Sequence, residues 1–402
     1  MRDGAETAAL SEAAFAPALP FALVSAHETL VARGCAGLIE AGPESVGVRA
    51  RRLLDAAIDA PALLVGALPF RAEVPVHLYR PAELSRSPGR ARLAAAFPPP
   101  ALVRPAARVA PRWQVTPEPS LAAYRSAVAN ALARMAGGTD DPRKIVLSRS
   151  LKLVADRSID ASALLRALSE DASVTAFCVP LGAGPSPRTL VGASPELLVS
   201  RRGATVTSHP LAGSARRARD PEADRAAADA LLASEKDRRE HREVVEAILD
   251  QLAPHCAELA VPEAPELTST ASMWHLGTPI AGRLRETGLQ ALDLALLLHP
   301  TPAVCGTPRL PAARAIAELE GYERGFYAGA VGWCDAAGDG DWHVAIRCAE
   351  LAGREARLYA GAGIVAGSDP EAEGEETSAK FAALLTALGI DEQGRSLAED
   401  VA

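Results

Sequence analysis

The sequence lacks the features that mark several large classes of protein. Its 402 residues contain no block of Lys and Arg, and the formal net charge is −8. Proteins that bind nucleic acid carry a basic patch that tracks the phosphates, so we expect no nucleic-acid partner. No apolar run approaches the roughly 20 residues that span a bilayer. Asp3, Glu6 and Glu12 interrupt the region where a signal peptide needs an apolar segment. We therefore expect a cytoplasmic protein that does not enter a membrane.

Patterns typical of disulfide frameworks and zinc sites are also absent. The sequence has no C-x-x-C pair and no histidine cluster at zinc-ligand spacing. Its six cysteines are scattered: Cys35, Cys178, Cys256, Cys305, Cys334 and Cys348. This distribution predicts reduced thiols in a cytosolic compartment. There is no internal repeat and no glycine-rich phosphate loop.

A proline-rich segment over residues 97–111 divides the chain, because its prolines exclude a regular helix or a central strand. We predict an N-terminal α+β subdomain over residues 1–111 that ends in this linker. A larger region over residues 112–390 carries the candidate site residues, and we expect it to form one intertwined domain with the N-terminal part. Residues 391–402 are predicted to be a tail.

Apolar periodicity predicts strands and helices in separate blocks. Between residues 144 and 208, short β-rich runs follow one another without intervening helices, which indicates antiparallel pairing. Helices are predicted over residues 51–59, 120–135, 221–252 and 289–298 and near the C-terminus, and further strands over residues 327–333, 342–351 and 355–364. Segregated blocks of this kind favour an α+β fold with large antiparallel sheets over a parallel, doubly wound sheet.

Acidic residues lie on the apolar side of the predicted C-terminal helix. At about 100° per residue, Glu373, Lys380 and Leu384 point in nearly the same direction, and Glu376 flanks them. Two carboxylates directed toward the interior need a cation, which points to a metal site. The alternative is an ordinary surface pair between Glu376 and Lys380. The glycines of the preceding Gly361-Ala362-Gly363 segment would allow a ligand to approach the backbone, or mark a bulge.

A second acidic pair, Glu240 and Glu243, repeats this spacing on the predicted helix over residues 221–252. Two helices that each present Glu-x-x-Glu can form an oxygen-ligand site of the kind that Mg²⁺ prefers. A solvated helix flank is the alternative.

Three other residues have chemistry that depends on their burial. Lys144 begins a β-rich run, and in a closed site desolvation would yield a neutral amine that acts as a base; the alternative is a solvated lysine. Glu196 follows a proline and precedes an apolar run, where a carboxyl could keep its proton and act as an acid, or simply occupy a turn. Arg347 interrupts an apolar predicted strand and needs an anion, which a ligand carboxylate would supply.

The motifs around these residues resemble the chorismate-utilising enzymes, a family that includes isochorismate, salicylate, anthranilate and aminodeoxychorismate synthases. The matching stretches, in family order over about residues 115–390, are KIVLSR (144–149), GASPELL (192–198), PLAGSARR (210–217), SEKDRREH (234–241), HPTPAVCG (299–306), AIRCAEL (345–351), YAGAGIV (359–365) and EETSAK (375–380). The N-terminal VGALPF (65–70) resembles the siderophore-type isochorismate synthases. The resemblance implies an α+β sandwich of antiparallel sheets that encloses a deep site.

The resemblance also implies roles for individual residues. Lys144 falls at the position of the water-activating base, and Glu196 at that of the general acid. The implied Mg²⁺ positions are Glu240 and Glu376 as direct ligands, with Glu243 and Glu373 in support. The implied substrate contacts are Gly213, Ser214, His275, Ala303, Arg347, Gly361 and Lys380.

Within the family, the resemblance favours an isochorismate synthase. Lys144 stands where anthranilate synthases carry glutamine, and Ala281 where aminodeoxychorismate synthases place a nucleophilic lysine. Ala303 stands where salicylate synthases tend to carry a hydroxyl. Gly374 and Cys305 depart from the usual family residues without removing a catalytic group.

We therefore predict Mg²⁺-dependent conversion of chorismate to isochorismate, by water addition at C2 and loss of the C4 hydroxyl. The expected pathway makes a siderophore from 2,3-dihydroxybenzoate or salicylate. The alternatives are a salicylate synthase, which also eliminates pyruvate, and a non-catalytic protein that binds chorismate. We expect a monomer without an amidotransferase subunit.

Overall fold

The structure is a computed structural model that describes residues 17, 19–90, 96–97, 111–136, 141–182 and 187–397. Within these residues the chain forms 22 strands in three sheets, together with eight helices. The predicted α+β fold with large antiparallel sheets is confirmed. Most of the predicted linker, residues 98–110, lies outside the described residues, as do Asp3, Glu6 and Glu12.

The strands are β1 (Phe21–Val24), β2 (Glu28–Arg33), β3 (Gly37–Leu38), β4 (Leu63–Leu68), β5 (His77–Arg80), β6 (Glu83–Pro88), β7 (Trp113–Glu118), β8 (Lys144–Ala155), β9 (Thr175–Pro180), β10 (Arg188–Ser194), β11 (Leu197–Arg202), β12 (Thr205–His209), β13 (Leu211–Arg216), β14 (Cys256–Ala260), β15 (Glu266–Ser269), β16 (Met273–Gly277), β17 (Ile280–Leu284), β18 (Gly306–Thr307), β19 (Ala330–Asp335), β20 (Gly340–Val344), β21 (Cys348–Ala352) and β22 (Glu355–Val365). The helices are α1 (Val46–Asp55), α2 (Leu121–Met135), α3 (Ala161–Leu168), α4 (Pro221–Ala233), α5 (Glu235–Leu252), α6 (Ala291–Leu298), α7 (Arg309–Glu320) and α8 (Pro370–Leu388).

Strands from the two ends of the chain share the same sheets. The ten-stranded sheet has the order β18-β8-β22-β21-β10-β9-β1-β2-β6, and β7 also pairs with β8. The nine-stranded sheet has the order β14-β17-β12-β11-β20-β19-β4-β5-β3, and the third sheet the order β13-β16-β15. β8 and β22 pair along eleven residues, which places the start of β8 beside the end of β22.

The helix predicted over residues 221–252 is two helices, because Ser234 ends one and begins the next. Its backbone N–H donates to the carbonyl of Leu231 at 3.2 Å, and its Oγ accepts the N–H of Asp237 at 3.2 Å. A residue in the extended conformation whose hydroxyl caps the next helix is a strong helix start. The break sets the direction of α5, which carries Glu240.

Three other predictions of elements need correction. The helix predicted over residues 51–59 runs over Val46–Asp55, with Ser45 as its N-cap. The strand predicted over residues 342–351 is interrupted between β20 and β21 at residues 345–347, so Arg347 lies in a connection rather than in a strand. Helices α3 and α7 were not predicted.

The apolar core lies on both faces of the ten-stranded sheet. One cluster fills the space between the two large sheets, and another packs α3 and α8 on the outer face. Phe381, Leu384 and Leu385 of α8 are almost fully buried in this outer cluster. Burial of each such side chain contributes about 1.5–3 kcal/mol. The C-terminal half of α8 is thereby anchored in the core, and its N-terminal half carries Glu373 and Glu376.

Candidate active site

A cavity lies where strands of all three sheets meet α5 and α8. Apolar and charged side chains share its wall, as they do in sites for small molecules. Ten of the thirteen predicted site residues line it: Glu196, Gly213, Ser214, Glu240, His275, Ala303, Arg347, Gly361, Glu376 and Lys380. Segments nearly two hundred residues apart in sequence therefore converge on one space. The other three predicted residues, Lys144, Glu243 and Glu373, are not part of its wall.

Glu196 has the environment of a general acid. It lies between β10 and β11, is 3% exposed, and donates its backbone N–H to the Oγ of Ser194 at 3.2 Å. Burial raises the pKa of its carboxyl to about 8, although the backbone of Leu211 and the charge of Lys144 act to lower it. Burial disfavours the charged form of a carboxyl. Glu196 therefore carries a proton at neutral pH and can donate it into the cavity.

Lys144 lies behind the cavity wall, next to Glu240. Its side chain is fully buried at the start of β8, and its Nζ stands 3.0 Å from Oε1 of Glu240. Glu240 itself lines the cavity. The ion pair holds the amine close to the cavity, because it contacts Glu240 and lies beside Gly363, and both of these residues line the cavity.

Gly363 makes this arrangement possible. A Cβ at this position would lie 2.1 Å from Oε1 of Glu240 and 3.0 Å from Cε of Lys144, closer than real Cβ contacts permit. The glycine predicted to allow close approach to the backbone of β22 thus makes room for a carboxylate and an amine of the protein itself. Only glycine leaves this space without displacing either side chain.

Arg347 is a buried cation with no carboxylate partner among the described residues. It is 8% exposed, and its Nη2 stands 3.4 Å from Nε2 of His275. Burial lowers the pKa of its guanidinium to about 10 and, with Arg347 and Lys380 contributing, lowers the pKa of His275 well below its usual value. The backbone of Arg347 adopts φ 51°, a left-handed conformation that an arginine rarely takes. Such strain clusters at functional sites, and a carboxylate entering the cavity would supply the missing anion.

Lys380 connects α8 to the β22 backbone that lines the cavity. Its Nζ lies 2.5 Å from Oε1 of Glu376 and donates to the carbonyl of Gly361 at 2.8 Å. Ser214 Oγ donates to the same carboxylate oxygen at 2.8 Å. Burial would raise the pKa of Glu376, but Lys380 and Ser214 lower it overall, so this carboxyl stays ionised. The pair considered above as a surface alternative exists, and it lies inside the site.

Three carboxylates act electrostatically on the ammonium of Lys236. Its Nζ contacts Oε1 of the fully buried Glu373 at 2.7 Å. Burial opposes its charge, yet the carboxylates of Glu373, Glu240 and Glu376 together raise its pKa. The pKa of Glu373 is raised by burial and by the nearby Glu376. These three residues, which come from two helices, therefore form one acidic cluster that has a cation within it.

Glu243 lies apart from this acidic cluster. Its carboxylate forms an ion pair with Arg143 at 3.0 Å, and its side chain is 22% exposed. Its role in metal binding remains a prediction. Asp237, one turn earlier on α5, occupies the cluster side of the helix instead: Glu240 and Glu376 contribute to raising its pKa, after burial. The sequence signal for Asp237 was the same three-residue spacing, counted toward the N-terminus from Glu240.

Tyr327 is another residue of the cavity wall that the sequence did not single out as a site residue. Its ring stacks on Tyr359, with 4.7 Å between ring centroids and an angle of 8° between their planes. A Cβ on Gly361 would lie 2.9 Å from the Tyr327 hydroxyl, so this glycine leaves room for it. The aromatic pair gives the polar cavity one flat, rigid wall.

The acidic cluster fits a hard divalent cation in its chemistry. Carboxylate oxygens are the ligands that Mg²⁺ takes, and Oε2 of Glu373 is buried without a hydrogen-bond partner. Within the described ranges, no three His, Cys, Asp or Glu side chains stand in a geometry that would already ligate an ion. The lysines paired with Glu240, Glu373 and Glu376 account for this, since each ammonium occupies one carboxylate.

The chain matches known proteins along most of its length. Residues 102–389 match the family described as chorismate binding enzymes. Isochorismate synthase DhbC of Bacillus subtilis (strain 168) is 51% identical over 283 residues, which cover 69% of this chain and 71% of the relative. Isochorismate synthase EntC of Escherichia coli (strain K12) is 41% identical over 329 residues, covering 82% of this chain and 81% of the relative. The crystal structure of DhbC from Bacillus anthracis superposes with a TM-score of 0.83 at 40% identity, covering 92% of this chain and 96% of that one.

Proposed function

Because the chain belongs to the chorismate-binding enzyme family, we propose that it is an isochorismate synthase, an isomerase that converts chorismate to isochorismate. The observation that carries the proposal is that a protonated carboxyl, Glu196, lies in the wall of one cavity and a buried amine, Lys144, lies directly behind that wall, beside Glu240. Water addition with loss of a hydroxyl needs both a base and an acid.

The cationic residues of the cavity would bind the carboxylates of the substrate. Chorismate is a dianion, and the cavity presents Arg347 and Lys380 to its carboxylates. Arg347 has no carboxylate partner among the described residues, so a substrate carboxylate would supply one through charge-assisted hydrogen bonds. These contacts fix the ring so that one face turns toward Lys144.

The reaction then proceeds by proton transfer at two atoms. Lys144, in the amine form that a base requires, takes a proton from water as the water oxygen bonds to C2, and the two ring double bonds shift. The C4–O bond breaks, and Glu196 gives its proton to the leaving hydroxyl, which departs as water. The atoms balance, since one water enters and one leaves. Mg²⁺, held by Glu240, Glu373 and Glu376 with Asp237 beside them, would supply positive charge for the ring carboxylate.

The product assay tests this proposal directly. Purified protein with Mg²⁺ and chorismate should yield isochorismate, identified by chromatography and mass, and no stoichiometric pyruvate. Pyruvate formation would favour a salicylate synthase, which the names of the relatives do not support. Unchanged chorismate would contradict the enzyme assignment.

The roles of the site residues are tested with a control on the same strand. Lys144→Ala should lower kcat by about 10²–10⁴-fold, the usual contribution of a general base. Lys152→Ala removes the half-exposed lysine of β8 that pairs with Glu355 at 3.6 Å, and should leave kcat unchanged. Equal rates for the two variants would exclude Lys144 as the base.

We propose further that residues 1–111 and 112–390 form one intertwined folding unit. The pairing of β1 with β9 and of β4 with β19 supports this, because strands of the first part complete sheets of the second. Residues 112–390 expressed alone should then lack a cooperative thermal transition. A fragment that folds and turns over chorismate would show the two parts to be independent.

We propose also that the protein is a monomer that acts in the cytoplasm and feeds siderophore synthesis through 2,3-dihydroxybenzoate or salicylate. The described cysteines form no disulfide, and no described helix is long and apolar enough to cross a membrane. Light scattering after gel filtration should give a mass near 41.8 kDa. Twice that mass would contradict the monomer.

A further inference from the structure

A buried ion pair lies behind the cavity wall and takes no part in the chemistry described above. Glu320, the last residue of α7, and Arg324, in the following connection, have side chains that are 1% and 2% exposed. Arg324 Nε donates to Oε2 of Glu320 at 2.8 Å, and Nη2 donates to Oε1 at 2.5 Å. An apolar pair of similar size would stabilise the fold as well or better, because burying two charges has a large desolvation cost. The pair provides something else, which is directed hydrogen bonds.

These hydrogen bonds end on the backbone of the cavity wall. Arg324 Nη2 donates to the carbonyl of Val146 at 2.7 Å, and Nη1 donates to the carbonyl of Val304 at 2.8 Å. Both valines line the cavity. Val146 lies two residues after Lys144 on β8, and Val304 follows Ala303. The rigid fork of one guanidinium therefore fixes the strand of the base to the turn on the adjacent side.

Glu320 extends the connection further along the same strand. Its Oε1 accepts the backbone N–H of Ser148 at 2.6 Å and the Ser148 hydroxyl at 2.8 Å. The Ser148 hydroxyl lies 2.6 Å from that of Tyr322. Arg324 also lies over the ring of Tyr327, 5.8 Å from its centroid. The strand of Lys144, the Ala303 turn and the aromatic wall are thus held to one buried pair.

We propose that Glu320 and Arg324 are positioning residues: they hold the start of β8 and the Ala303 turn at the separation that the reaction requires. The proposal rests on the proposed function, since it names the residues that set the geometry of the same site. Neither side chain reaches the cavity. Their effect should therefore appear in turnover rather than in substrate binding, which depends on Arg347 and Lys380.

The test variant keeps the positive charge at residue 324 and removes the planar guanidinium that donates several hydrogen bonds at once. Arg324→Lys still faces Glu320 with a cation but cannot donate to both carbonyls. Its kcat should fall about 100-fold, the effect of a misplacement of about 1 Å, while KM for chorismate stays within about threefold of wild type. The matched control is Arg80→Lys, since Arg80 is also buried and donates only to backbone carbonyls of residues 53–61, away from the cavity. The control should lose thermal stability and keep kcat.

A double variant tests the proposal without leaving one buried charge unpaired. Glu320→Leu combined with Arg324→Met removes both charges, so it should fold even if Arg324→Lys does not. A folded double variant with kcat at least about 30-fold lower and little change in KM supports positioning. Wild-type kcat in either folded variant, or a matching loss of kcat in Arg80→Lys, overturns it. Wild-type protein that leaves chorismate unchanged would instead contradict the proposed function, so the two can fail separately.

Discussion

Replacement of Glu196 by glutamine should make the protein more stable and almost inactive. The folded pKa of this carboxyl is about 8, against an ordinary value of 4.5. The unfolded chain therefore ionises Glu196 at neutral pH, while the folded protein must keep it protonated. Each unit of pKa difference is worth about 1.4 kcal/mol. Glutamine has nearly the same shape and never ionises, so it avoids this cost of folding.

The size of the effect follows from pH. A raised folded pKa means that the stabilising contribution of Glu196 is complete below pH 4.5 and is lost as the pH rises toward 8. At pH 7 the loss is roughly 3 kcal/mol, and at pH 5 it is roughly 1 kcal/mol. A chain of 402 residues has an unfolding entropy for which about 1 kcal/mol shifts Tm by about 1 °C. Glu196→Gln should thus raise Tm by about 3–4 °C at pH 7 and about 1 °C at pH 5.

The activity of the same variant should move in the opposite direction. Loss of the general acid should lower kcat by about 10²–10⁴-fold. In the wild type, kcat/KM should fall as the pH rises through about 8, where Glu196 loses its proton. Scanning calorimetry at the two pH values and steady-state kinetics are sufficient. Equal Tm shifts at pH 5 and pH 7, or turnover that persists in Glu196→Gln, would refute the assignment of a raised pKa and an acid role to this residue.

Three other substitutions test the rest of the site. Gly363→Ala should lower kcat at least 10-fold in steady-state assays, because its Cβ would overlap Glu240; wild-type kcat would mean that the carboxylate moves freely. Arg347→Lys should raise KM for chorismate about 10–100-fold, since lysine cannot form a bidentate contact, and an unchanged KM would exclude this residue as the carboxylate clamp. Asp237→Asn should weaken Mg²⁺ binding, measured by calorimetry without substrate, more than Glu243→Gln, because Asp237 faces the acidic cluster and Glu243 pairs with Arg143. If Glu243→Gln weakens Mg²⁺ binding more than Asp237→Asn does, Glu243 is the supporting residue, as the sequence predicted.

Much of the fold could be predicted because apolar periodicity depends on local sequence. The bounds of β22 and α2 agree within one residue with the strand predicted over residues 355–364 and the helix predicted over residues 120–135. Helix α7 was not predicted, because its apolar pattern is weak and because Pro311 lies in its first turn. A proline usually indicates a break in a helix, but it is tolerated at a helix start. The helix break at Ser234 was not predicted for another reason. The apolar spacing continues across it, and the capping role of the serine separates α4 from α5.

The site could be predicted only in part, because sequence places residues on elements but does not orient the elements toward one another. The spacing of glutamates on α5 and α8 indicated a shared cation site, and Glu240, Glu373 and Glu376 together raise the pKa of Lys236. The spacing could not show whether Asp237 or Glu243 faces the acidic cluster together with Glu240. That choice depends on the packing of α5 against β13. A Cβ on Gly213 would lie 3.0 Å from the Cβ of Asp237, so the glycine leaves room for this side chain. Likewise, Arg347 could be recognised as a buried cation, but nothing in the sequence indicated its left-handed backbone in the connection after β20.

The charges of the site explain why a substrate and a cation would be bound together. Glu240, Glu373 and Glu376 are each paired with a lysine, so this cluster is already neutral among its own side chains. Among the described cations that line the cavity, Arg347 is the one without a carboxylate partner for an entering dianion, and a divalent cation alone would have to displace ammonium groups. Entering together, the two add no net charge. The cation would then lie at the three carboxylates and a substrate carboxylate at Arg347, so that neither brings an uncompensated charge into a buried space.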